Sequence, residues 1–261
     1  MTEPDLRRAY VDAVKRMVTG YSALGGDREF EAYNALSHYD IKAGGWTVPR
    51  QCLPLTLLAK GQLDLIEELL IELGHRGVAG DCIEAGIWRG GAVIAMRAVL
   101  DAWGMADRQV IAADSFAGIP ASTQFLHDPV DLWPDRWIAS LDEVTANIAR
   151  AGMLDGRIEL LAGLFADSLP GLAERHFAFI RLDSDSHDSV MDSLTWLYPL
   201  LAPGGVVVID DWHLFGCKLA VDRYRERHGI TDPIHVTHGN GYWFKGQDFS
   251  GTDRQTGAEP G

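Results

Sequence analysis

Apolar positions along the chain follow two different periods. Residues 4–19 place Leu6, Tyr10, Val14, Met17 and Val18 at helical spacing, and residues 53–74 return to that spacing before Gly74 and Gly77. Between them, residues 20–50 are irregular and broken at Gly25-Gly26 and Gly44-Gly45. From residue 80 the pattern changes to short apolar runs alternating with helical segments. DCIEAGIW, QVIAADSF, RIELLAG, FAFIRLD and GVVVIDD read as strands. GGAVIAMRAVLDAWG, LDEVTANIARAG, DSLPGLAERH, DSVMDSLTWLYPLLAPGG and CKLAVDRYRERHG read as helices. IHVTHG and GYWFKG read as two strands across a glycine turn, and residues 251–261 as a polar, disordered tail.

Strands that alternate with helices predict a mainly parallel sheet with right-handed crossovers, here closed by an antiparallel C-terminal hairpin. The expected fold is α/β and Rossmann-like, with seven strands and an N-terminal helical cap. Residues 1–60 form that cap or lid, 61–250 the main domain and 251–261 the tail.

Composition narrows the function classes. The chain has 261 residues, 47% hydrophobic and 23% charged, enough for a core that needs no staples. Its 23 basic and 37 acidic residues give a formal charge of −14, which argues against nucleic acid and against an anionic membrane surface as partners. Cys52, Cys82 and Cys217 have no zinc spacing, and Cys82 sits in an apolar run as an inert thiol. With no signal-like N-terminus and no long apolar stretch, a cytoplasmic protein is expected.

In such sheets ligands bind at the carboxyl ends of the strands. The first strand ends in Glu84-Ala-Gly86-Ile-Trp88-Arg89-Gly90-Gly91, whose spacing is not that of dinucleotide binders. The turn lets a ligand approach the backbone, or serves packing alone. The second strand ends at Asp114-Ser115-Phe116, where a carboxylate can accept hydrogen bonds from a ribose diol or cap a turn. Asp167 could accept from an adenine amino group, or cap the helix beginning at Ser168. The fourth and fifth strands bring together Asp183, Asp185, Asp210 and Asp211, with His187 and His213 beside them. Carboxylates at this density suit Mg²⁺ or another divalent cation, unless the extra aspartates are helix caps.

Together these segments resemble the macrocin O-methyltransferase (TylF) family of S-adenosylmethionine (SAM)-dependent enzymes. The resemblance runs through GDCIEAGIWRGGAVIAMRAVL, ADSFAGIP, GLFADSLP, FIRLDSDSHDSVMDSLTWLYPLLAPGG, VVVIDDWHLFGCKLAV and YWFK, over about residues 78–246. It implies a class I methyltransferase fold for residues 61–250 and a role for each aligned position. Glu84, Gly86, Trp88, Arg89 and Gly90 would hold the amino-acid part of SAM, with Asp183 below them. Asp114 and Ser115 would meet the ribose, and Asp167 and Ser168 the adenine. Asp183, Asp210 and Asp211 would bind Mg²⁺, and Asp185 would be the general base, with His187 as its substitute. Ser184 and His187 stand where the family usually has glycine and an aromatic residue.

The reaction implied is metal-dependent O-methylation of a hydroxyl on a small natural product, such as a sugar of an antibiotic. Alternatives are a catechol-like, carboxylate or nitrogen acceptor, a metal-independent enzyme, and a non-catalytic SAM-binding module. A homodimer or higher homo-oligomer is expected, with the N-terminal segment as its contact or as a lid over the acceptor.

Overall fold

A computed structural model describes residues 2–20, 54–125, 128 and 137–246, together with the backbone of 42–43 and 46–47, which pair as a short antiparallel ladder. Most of the irregular N-terminal segment and the tail lie outside the described residues, as do Cys52 and Trp133.

The main sheet has seven strands. They are β1 (Asp81–Ala85), β2 (Val110–Asp114), β3 (Ile158–Ala162), β4 (Phe177–Leu182), β5 (Leu201–Ile209), β6 (His235–Thr237) and β7 (Asn240–Phe244). Their order is β3-β2-β1-β4-β5-β7-β6. The first five are parallel, while β7 runs antiparallel to β5 and to β6. Strand order reverses between β1 and β4, the switch point at which such sheets open a ligand crevice.

The helices are α1 (Glu3–Val18), α2 (Lys60–His75), α3 (Gly91–Ala102), α4 (Leu141–Arg150), the single turn α5 (Phe165–Ser168), α6 (His187–Leu197) and α7 (Phe215–His228). On α2, Leu63, Ile66, Leu70 and Leu73 form the buried stripe that the periodicity marked. Each contributes about 1.5–3 kcal/mol when fully buried. α1 turns Val11, Val14 and Val18 into the same core as α2 and α3. Its buried Lys15 reaches Asp64 at 2.7 Å and Glu67 at 2.5 Å on α2. The described part of the N-terminal segment is therefore a layer of the fold.

Two element boundaries differ from the sequence expectation. Residues 55–58 are not helical: Leu55 and Thr56 donate backbone hydrogen bonds to the Val18 carbonyl, and α2 starts only at Lys60. The helix expected to run into Pro203-Gly-Gly ends at Leu197, because Pro199 has no N–H to continue it. The prolyl-glycyl-glycine segment already belongs to β5, where it lies in the register shift between the Phe177–Leu201 and Phe179–Val206 pairs.

Candidate active site

A cavity of about 440 Å³ opens above the carboxyl ends of β1, β2, β4 and β5. Its floor is the turn after β1. Gly86 has φ +90, and a Cβ there would come within 1.7 Å of the Asp183 carbonyl oxygen, so only glycine lets the ends of β1 and β4 meet. Asp114 fixes the turn from the side. Its Oδ2 accepts from the backbone N–H groups of Ile87 (2.9 Å) and Trp88 (3.1 Å), and its Oδ1 from Phe116 (2.8 Å). Burial pushes the Asp114 carboxyl up, against these three hydrogen bonds. Ser115 donates to the Gly118 carbonyl at 2.7 Å. Trp88 meets Trp137 edge to face at 6.1 Å, and both line the cavity with Thr56, Leu57 and Leu58 from the stretch before α2.

A buried charge network underlies the floor. Arg181, fully buried on β4, pairs with Glu84 on β1, with Asp183 at 2.9 Å and with Asp210 at 2.6 Å. The Asp210 contact is an ion pair whose angle falls outside a hydrogen bond. Burial pushes the Glu84 carboxyl up to about 8 in spite of Arg181, and its Oε2 has no hydrogen-bond partner.

Above this layer, oxygen atoms of Asp183, Asp185 and Asp211 lie within 4.8 Å of one another. Burial, then repulsion from Asp210, pushes Asp183 up to about 7. Burial, then Asp183, does the same to Asp185. Burial, then Asp185, pushes Asp211 well above the ordinary carboxylate range, and its Oδ2 is a buried acceptor without a hydrogen-bond donor. Three converging carboxylates, one with an orphaned oxygen, form a group of hard oxygen ligands that could hold a divalent cation. Asp185 holds φ +57, a conformation non-glycine residues rarely adopt.

The structure places several of the expected site residues away from the point where the carboxylates converge. Asp210 does not converge with that trio: its Oδ1 faces Arg181 and accepts from Gln62 Nε2 at 3.0 Å. Arg89 does not line the cavity. Its guanidinium is buried and donates to Glu143 (2.8 Å) and to the Pro54 carbonyl (2.6 Å), tying α4 and the stretch before α2 to the turn. Gly90 adopts φ +86 under Val144 at the start of α3 and supports the turn from outside the cavity. At the end of β3 it is Gly163, Leu164, Phe165 and Ala166 that line the cavity. Asp167 is exposed, and Ser168 donates to the Leu164 carbonyl at 3.0 Å. His187 is also turned away. The residue is 2% exposed, with Nδ1 2.9 Å from Asp188 and Nε2 3.2 Å from Arg223, so both ring nitrogens face protein partners and neither lines the cavity.

Sequence reasoning missed Arg181, Gln62 and Asp188. A signal existed for Arg181, since FAFIRLD and DCIEAGIW each carry one charge inside an apolar run, which buried pairing explains. Gln62 and Asp188 carried no such signal.

A family model described as Macrocin-O-methyltransferase (TylF) matches residues 10–246. The chain is 36% identical over 250 residues to the 8-demethyl-8-(2,3-dimethoxy-alpha-L-rhamnosyl)-tetracenomycin-C 4'-O-methyltransferase of Streptomyces olivaceus, a match covering 94% of this chain and 95% of that one. It is 38% identical over 201 residues to the mycinamicin III 3''-O-methyltransferase of Micromonospora griseorubida, covering 72% and 77% of the two chains. The solved structure of the O-methyltransferase NovP superposes with a TM-score of 0.78 at 30% identity, over 91% of this chain and 98% of that one.

Proposed function

The chain belongs to the macrocin O-methyltransferase (TylF) family, and from that premise we propose that it methylates a sugar hydroxyl of a glycosylated natural product with the help of a divalent cation. It is an O-methyltransferase on a fold built for S-adenosylmethionine. The observation that carries the metal-assisted reading is the convergence of Asp183, Asp185 and Asp211 at the switch point, inside the cavity that the β1 turn and Asp114 shape.

When bound, S-adenosylmethionine supplies a methyl group on a cationic sulfur, and the cation supplies positive charge beside the acceptor oxygen. Asp183 and Asp211 would hold the cation. Asp185 takes the hydroxyl proton. Its carboxyl is raised by burial and by Asp183, and a base near the working pH is the efficient one, contributing typically ~10²–10⁴-fold. Arg181 holds Asp183 in place, and through Asp210 and Gln62 it links the strand ends to α2. The walls of Leu57, Leu58, Trp88 and Trp137 exclude water and orient the acceptor, and alignment of this kind can contribute ~7–11 kcal/mol.

Calorimetric titration of S-adenosylhomocysteine, with and without Mg²⁺, tests this reading on the wild type, Asp114→Asn and Asp183→Asn. Binding by the wild type, weakened in Asp114→Asn, with a Mg²⁺ response lost in Asp183→Asn, supports it. No binding by the wild type overturns it.

A further inference from the structure

The cavity has a wall that none of the chemistry above explains. Residues 118–125, which follow β2, contribute Gly118, Ile119, Pro120, Thr123 and Gln124 to its lining. This stretch has no regular secondary structure. A wall without its own hydrogen-bond ladder needs an outside anchor to hold one shape.

One carboxylate anchors Thr123 and Gln124. Asp188 Oδ2 accepts from the backbone N–H of Thr123 at 2.6 Å, from the Thr123 hydroxyl at 3.2 Å and from the backbone N–H of Gln124 at 2.7 Å. Its Oδ1 faces His187 Nδ1 at 2.9 Å. Arg223 on α7 donates toward the other ring nitrogen, so Nδ1 carries the proton and donates to Asp188. Phe125 packs on the His187 ring at 5.2 Å, and Asp128 accepts from the His187 backbone N–H at 2.9 Å. The ties from Thr123, Gln124, Phe125 and Asp128 join the stretch after β2 to the first turn of α6, five residues or fewer beyond Asp183. Although burial pushes the Asp188 carboxyl up, the hydrogen bonds from Gln124, His187 and Thr123 outweigh it and hold it below the ordinary carboxylate range.

We propose that Asp188 is a positioning residue that clasps residues 118–125 over the cleft, with His187 orienting its carboxylate, and so sets how fast ligands leave the cavity. Charge-assisted hydrogen bonds of this kind are stronger than neutral ones, which fits a single side chain holding a loop. His187 then has a role that needs no contact with the acceptor. The release part of the claim rests on the methyltransferase reading, whereas the clasp itself does not.

The experiment compares wild type, Asp188→Ala and Asp188→Asn by hydrogen–deuterium exchange and by stopped-flow dissociation of S-adenosylhomocysteine. In Asp188→Ala the amides of Thr123 and Gln124 are expected to exchange at least about tenfold faster, while β1 and β4 stay protected. S-adenosylhomocysteine is expected to dissociate several-fold faster. Asp188→Asn keeps the side-chain shape and one acceptor oxygen, so it should fall between wild type and Asp188→Ala on both readouts. Unchanged exchange at Thr123 and Gln124 in Asp188→Ala overturns the proposal. If Asp188→Ala does not fold, unchanged exchange in a folded Asp188→Asn overturns it equally. Faster exchange with an unchanged release rate overturns the kinetic role. A wild type that binds no S-adenosylhomocysteine counts against the methyltransferase reading, and the clasp is then judged by exchange alone.

Discussion

Arg181 Nη2 lies 2.6 Å from Asp210 Oδ1, and this pairing turns Asp210 out of the trio formed by its neighbour Asp211 with Asp183 and Asp185. Two adjacent aspartates at the end of β5 thus have different partners: one faces a buried cation of the protein, the other presents an orphaned oxygen to the cavity.

Metal affinity should rank accordingly. Asp183→Asn and Asp211→Asn are expected to weaken Mg²⁺ or Mn²⁺ binding the most, and Asp210→Asn the least. Calorimetric titration of the metal into each variant measures the order. A larger loss in Asp210→Asn than in Asp211→Asn would refute the assignment.

Asp185 and His187 should separate cleanly. Asp185→Asn is expected to lower kcat by at least ~10²-fold while S-adenosylhomocysteine still binds. His187→Asn keeps a donor near the Nδ1 position and should retain kcat within a few-fold. The same loss in both variants would mean that the ring takes part in proton transfer.

Arg181 has three carboxylates around it and is completely buried. Arg181→Met leaves Glu84 and Asp183 without their counter-charge. Breaking a buried pair from one side typically costs about 3–5 kcal/mol. Urea denaturation of the two proteins gives the difference, and a loss below about 1 kcal/mol would show that the network adds little to stability.

The Lys15 pairing predicts a pH dependence. Burial pushes Asp64 up, but the hydrogen bonds from Lys15 and Lys60 outweigh it, and its carboxyl lies below the ordinary value. A lowered folded-state pKa gives stability that is present above the unfolded value and lost as pH falls through the folded one. Lys15→Met should therefore cost about 1–3 kcal/mol at pH 7, less than a fully buried pair because Asp64 is partly exposed. The gap should close below about pH 4. A gap independent of pH would assign the cost to packing.

Much of this molecule was legible along the chain. The seven strands follow from short apolar runs, and the ligand end of the sheet follows from their parallel order. A cluster of four strand-end aspartates was visible because they come in near-adjacent pairs, but not which three of them converge. What escaped was direction. Sequence spacing brings Asp210 and Asp211 to one place, yet nothing in it tells which one meets Arg181. Arg89 and His187 sit beside cleft residues in the chain, but the backbone turns after β1 and before α6 send their side chains into the body of the protein. The clasp at Asp188 depends on a contact 65 residues away in sequence, between a helix start and an irregular stretch, where no periodicity exists to be read.

The most direct test of the proposed reaction is transfer of a labelled methyl group from S-adenosylmethionine to a panel of deoxysugar glycosides, with chelator, with added Mg²⁺ and with Asp185→Asn. Label is expected on a sugar oxygen, lost on chelation, restored by Mg²⁺ and absent in the variant. Transfer that is indifferent to chelator, or label on nitrogen or a carboxylate, would contradict it.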